Sequence, residues 1–75
     1  MSTQLVRTAM QDGRRVAVLR CYDTDGATIV EAEVLRAGAT DPVRRGPYRF
    51  ATAPEAFRFV QEALLALQYL GCQVS

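Results

Sequence analysis

Histidine, lysine and tryptophan do not occur in this chain, and cysteine occurs only twice. Without histidine, the usual general base near neutral pH and the commonest metal ligand are both missing. Cys21 and Cys72 stand alone, with no CxxC spacing to hold zinc and no flanking base to lower a thiol pKa. No metal or cofactor is expected, and buried, reduced thiols are the ordinary reading of both cysteines. Nothing in the sequence calls for a Cys21–Cys72 disulfide. No charged leader with an apolar core follows Met1, and no apolar run approaches the ~20 residues that span a bilayer. The expectation is a cytoplasmic protein with no membrane contact. Loops of the GxGxxG or GxxxxGK[ST] kind are absent too, which leaves nucleotide-phosphate binding without a motif.

What is present begins with arginine, which supplies all nine basic residues against eight acidic ones, for a net charge of +1. So small a charge gives no overall field to recruit nucleic acid or an acidic membrane. Arginine-only basicity with abundant Ala, Gly and Val is also a bacterial-like composition that GC-rich coding produces unaided. The 75 residues make one domain, residues 1–75. A core of that size typically supplies ~3–5 kcal/mol, so small folds often recruit a second subunit.

The chain is organised around a helix framed between Thr52 and Gly71. Thr52-Ala53-Pro54-Glu55 reads as a capping box with proline in the first turn, where N–H groups lack helical partners. Gly71 supplies the left-handed residue that closes a helix. At 100° per residue, Phe57, Leu64, Val60, Leu67, Ala56, Ala63, Leu70 and Phe59 fall on one arc that must be buried. Leu65 and Tyr69 fall on the opposite side among charges, four apart and so adjacent on the surface.

Ahead of the helix, two turn signals divide residues 4–36 into three strands, about Gln4–Met10, Arg15–Tyr22 and Thr28–Leu35. Asp12-Gly13 suits a two-residue hairpin turn, and Asp23-Thr24-Asp25-Gly26 a longer one ending in glycine. With Gln11 facing Arg14 and Tyr22 facing Ala27, one sheet face collects Val6, Thr8, Met10, Ala17, Leu19, Cys21, Val30, Ala32 and Val34, nearly free of charge. The helix is expected to cover it. The other face collects Leu5, Arg7, Val16, Val18, Arg20, Tyr22, Ile29, Glu31, Glu33 and Leu35. Residues 37–47 read as a loop carrying Arg44 and Arg45, Tyr48–Ala51 as a short fourth strand with Arg49 opposite Tyr48 and Phe50, and residues 72–75 as too short to assign. The fold class is therefore α+β: an antiparallel meander of three to four strands with one C-terminal helix on one face.

Catalytic residues are not identified. Asp23 and Asp25 share a tight turn, and Glu31 and Glu33 lie among arginines, where solvated charge is the simpler reading. The chain reads instead as a small non-enzymatic binding module, a homodimer or an adaptor for another protein. The candidate interface is Leu65, Tyr69, Val16, Val18 and Ile29, because a mixed face left to water would expose a larger apolar patch than monomers usually carry. The alternative is a single-stranded nucleic-acid binder using the arginine-bearing face, with Arg7, Arg20, Tyr22, Arg44, Arg45 and Arg49 as contacts. Four antiparallel strands followed by a helix is the topology of the dimeric single-strand-binding transcriptional coactivators, an analogy of architecture alone. Glu31 and Glu33 in the middle of that face, and a single aromatic on it, weigh against this alternative.

Overall fold

The computed structural model describes residues 2–35 and 40–75. Five strands and one helix follow in the order β1 (Ser2–Gln11), β2 (Arg14–Thr24), β3 (Ala27–Val34), β4 (Val43–Phe50), α1 (Ala53–Tyr69) and β5 (Gln73–Val74). The strands form one antiparallel sheet in the order β4-β3-β2-β1-β5, and α1 packs across one face, giving an α+β fold.

Both hairpin turns are two-residue turns with left-handed central residues, Asp12 (φ 53°) with Gly13 (φ 76°) and Asp25 (φ 46°) with Gly26 (φ 75°). The second turn is thus tighter than the four-residue reading, and Thr24 rather than Tyr22 faces Ala27. That moves the β2–β3 register by an even number of residues. The faces of β2 and β3 therefore survive: Leu19, Cys21 and Val30 point toward the helix, and Val18, Arg20, Ile29 and Glu31 away from it.

β1 does not follow the register its turn implies. Gln11 faces Arg14 as expected, but the pairing shifts between Met10↔Arg15 and Ala9↔Ala17, so that Val16 is an extra residue on β2. A bulge of one residue inverts the side chains beyond it, here as far as Leu5, after which the pairing shifts again at Gln4. Leu5 and Arg7 consequently share a face with Cys21 and Leu19, on the helix side, while Val6 and Thr8 lie opposite Arg20 and Val18 on the open side. This reverses the sequence-based assignment of all four.

The expected loop is corrected as well. Residues 43–47 belong to β4, and residues 36–39 lie outside the described residues. Gly46 and Pro47 together oppose the single residue Glu31 between the pairs Ala32↔Arg45 and Val30↔Tyr48. Gly46 is required there: at φ 92° a Cβ would stand 2.9 Å from both the Val30 carbonyl oxygen and the Tyr48 nitrogen. The C-terminal residues add a fifth strand, with Ala9↔Val74 and Met10↔Gln73 paired and Ser75 exchanging both backbone bonds with Thr8.

The helix forms for the reasons its ends announce. The Thr52 hydroxyl accepts the Glu55 N–H at 3.4 Å and donates to the Glu55 carboxylate at 2.9 Å. At the other end the Gly71 N–H bonds the Gln68 carbonyl and the Cys72 N–H the Leu67 carbonyl, a Schellman closure. Ala56, Val60 and Leu64 are buried against Leu19, Cys21 and Val30, with Phe59, Ala63 and Leu67 partly covered. Phe57 and Leu70, expected inside the buried arc, are exposed at its two rims. One sheet face covers only the middle of so wide an arc.

Candidate functional site

The bulge at Val16 brings Leu5 and Arg7 beneath one flank of α1. There they line a groove of about 270 Å³ with Phe57, Leu64, Leu65 and Val74, and with Gln61 and Gln68 at its lip. Phe57 is 39 % and Leu65 57 % exposed, and Val6, beside Leu5 but on the opposite face of the strand, is 50 % exposed. Arg7 is the one charged residue of the groove, and its Nε donates to the Ser75 carbonyl at 3.0 Å. The lining is therefore mixed, apolar side chains together with the polar ends of Arg7, Gln61 and Gln68. Tyr69, one turn beyond Leu65, is 93 % exposed and extends the apolar strip along the helix.

The open face of the sheet has a different character. Val18 and Ile29 are only 5 % and 7 % exposed although no element among the described residues covers them. Each sits between longer neighbours, Val18 opposite Glu33 and Ile29 opposite Tyr22 and Arg49. Those side chains are tied to one another. Arg20 donates to Glu33 at 3.0 Å, Arg44 lies 4.0 Å from the same carboxylate oxygen, and the Tyr22 hydroxyl donates to Glu31. The Glu31 hydrogen bond, with smaller contributions from desolvation and the Glu31 charge, raises the Tyr22 pKa above the ordinary phenol range. Val16, in the bulge, is half-buried. Of the five interface candidates, then, Leu65 and Tyr69 are freely available while Val18 and Ile29 have little surface left to offer.

The six proposed nucleic-acid contacts are not brought together. Arg7 and Arg45 lie on the helix side of the sheet, Arg45 opposite Ala32, whereas Arg20, Tyr22, Arg44 and Arg49 lie on the open side. Arg7, Arg20 and Tyr22 each donate to a protein acceptor. Arg44, Arg45 and Arg49 are exposed along the edge strand β4.

Among the described residues, no three acidic or cysteine side chains gather in a way that could hold a metal ion, and no helix is long and apolar enough to cross a membrane. Cys21 is fully buried under the helix; burial first, and then the Asp23 charge, push its thiol pKa up. Sequence reasoning missed Leu5, Val6, Phe57 and Val74 as site residues. Phe57 was discoverable from its place at the limit of the apolar arc; the other three depend on the bulge and on β5. Compared with protein-family models, curated proteins and solved structures, the chain matches none.

Proposed function

We propose that this chain is a non-enzymatic binding module that acts as a homodimer, with the groove between α1 and β1 as its contact surface. The observation that carries the reading is the apolar strip Leu5, Phe57, Leu65 and Tyr69, which the described residues do not cover fully. Large side chains left in water cost about 25 cal/mol for each Å² that a partner could cover. A core whose largest fully buried side chains are Val30, Val60 and Cys21 has little stability in reserve, so that gain matters. The carboxylates Glu31 and Glu33 accept from Tyr22 and Arg20, an arrangement suited to holding a surface rather than to moving protons.

Light scattering behind a sizing column tests this. The expected mass is about twice the 8.3 kDa of one chain at micromolar concentration. Leu65→Glu is expected to return it to the single-chain mass. A single-chain mass at every concentration sinks the reading.

A second reading, single-stranded nucleic-acid binding, draws its support from the three exposed arginines of β4. It predicts retention of a labelled oligonucleotide that weakens with added salt and with Arg45→Ala and Arg49→Ala. No retention at low salt ends it.

A further inference from the structure

The sheet ends in two edges of unlike character. On β4, Arg44, Arg45 and Arg49 are exposed and the Gly46–Pro47 bulge interrupts the strand. Charge, proline and bulge are the means by which edge strands resist a further strand. On the other side β5 pairs with Ala9 and Met10, and Ser75 bonds with Thr8. Among the described residues no strand lies outside Ser2–Arg7. Ser2–Val6 contains no charge, no proline and no glycine, and its pairing with β2 shifts once, at Gln4 between Thr3 and Leu5.

Thr8 fixes what this bare edge offers. Its N–H and C=O point away from β2, to Ser75. The register from Leu5 to Ala9 is unbroken, so Val6 aims its own N–H and C=O the same way, with no strand beside them among the described residues. The groove of Leu5, Phe57 and Leu65 lies directly over this edge on the helix side, and half-exposed Val6 borders it on the other.

We infer that a second copy of this chain occupies the edge, its β1 running antiparallel to this β1 across Ser2–Arg7, so that two five-stranded sheets become one with both helices on the same face. The inference rests on the homodimer reading above and adds its geometry. The surface suits its own kind. In an antiparallel two-fold pairing across Ser2–Arg7 the one charge, Arg7, whose Nε donates to the Ser75 carbonyl, falls near the partner's Ser2 at the end of the seam and away from its own copy. Apolar side chains meet apolar ones, and the amides of Gln61 and Gln68 both donate and accept, so they can pair with themselves. A basic peptide finds no acidic residue among the groove residues, and an acidic one meets the single cation Arg7. Because β5 occupies Thr8, pairing is confined to a short stretch, and the apolar flank of α1 supplies the remaining contact.

The decisive measurement is amide hydrogen exchange on the unmutated chain, with the mass followed in parallel. At a concentration giving twice the 8.3 kDa mass, the Val6 amide is expected to exchange on the order of tenfold or more slower than after dilution to the single chain. Val6→Pro removes an N–H that the single chain does not use, so it is expected to keep the far-ultraviolet dichroism and lose the dimer, while Val6→Thr keeps both. A dimer whose Val6 amide exchanges freely, or that survives Val6→Pro, overturns the edge pairing and leaves the homodimer standing. A chain that stays single at all concentrations overturns both, and so does protection of Val6 only on adding an unrelated extended peptide. If Val6→Pro does not fold, the exchange result decides alone.

Discussion

Replacing Gly46 with alanine tests how firmly β4 is built into the sheet. The residue sits at φ 92°, and the added Cβ would stand 2.9 Å from the Val30 oxygen and the Tyr48 nitrogen, both backbone atoms, and 3.1 Å from the Tyr48 ring. The left-handed backbone alone costs an alanine roughly 1–2 kcal/mol. Overlap with backbone that cannot swing aside adds about 1–3 kcal/mol. The expected loss is roughly 2–5 kcal/mol, against the ~3–5 kcal/mol that a core of this size supplies. Gly13→Ala is the matched control, because its φ is 76° but nothing lies within 4 Å of the new Cβ. It should lose only the torsional part, roughly 1–2 kcal/mol. Urea unfolding followed by circular dichroism, at one protein concentration so that any dimer contributes equally, compares the two. Each kcal/mol also corresponds to about 4–8 °C in thermal midpoint for a chain of this length. Equal losses in the two variants would refute the close approach of β4 to β3 at the Gly46–Pro47 bulge.

Three further outcomes follow from the same geometry. Thr52→Ala should cost about 1 kcal/mol by removing the acceptor of the Glu55 N–H, with Thr52→Ser recovering most of it; no difference between alanine and serine would argue against the cap. Tyr22 should ionise above the ordinary phenol range in an ultraviolet titration, and Glu31→Gln should bring it down. Because the folded pKa is the higher one, the stability from this bond is fully present below the unfolded phenol's pKa and lost as pH rises through the folded value. An unchanged titration in Glu31→Gln would show that the bond is not the cause. Of the two thiols, half-buried Cys72 should react with a disulfide reagent in the native protein and Cys21 only after unfolding, since Cys21 is fully buried with a raised pKa; equal native rates would contradict the packing of α1 over β2.

The helix and the two central strands were legible because several signals agreed on each. Thr52, Pro54, Glu55 and Gly71 framed α1 from both ends, and the turn at Gly26 kept the parity of β2 and β3 even though its length was misjudged. β1 was not legible, for a reason visible in its own residues. Leu5 and Ala9 are apolar at one parity and Val6 and Met10 at the other, so either face could be buried and the pattern could not choose. The choice is made by Val16, a β-branched residue that looks like any other strand position and gives no sign of a bulge. β4 was hidden differently. Gly46 and Pro47 signal a break wherever they fall, and here they mark an irregular edge strand rather than a loop. The β5 pairing depends on where α1 ends over the sheet, which four residues could not announce.

The arginines show how charge and contact surface are divided in this molecule. The strand register expected from the turns puts Arg7, Arg20 and Arg49 on one sheet face. In the fold, Arg20 and Arg44 converge on Glu33, Arg7 is bonded to a carbonyl under the helix, and the exposed arginines of β4 line an edge that a strand would have difficulty joining. Long side chains paired across β2 and β3 also lie beside Val18 and Ile29, so the open face carries its own cover. A surface whose charges are mutually satisfied gains little from a partner, because docking would desolvate pairs that water already serves well. The α1–β1 flank has the opposite balance: apolar side chains, neutral amides and a Val6 backbone with no strand beside it among the described residues, each of which gains from a partner. The bulge at Val16 creates that difference. By turning Leu5 and Arg7 inward and Val6 outward, it moves Leu5 from the open face into the lining of the groove, so the contact surface is set by a residue that never touches it.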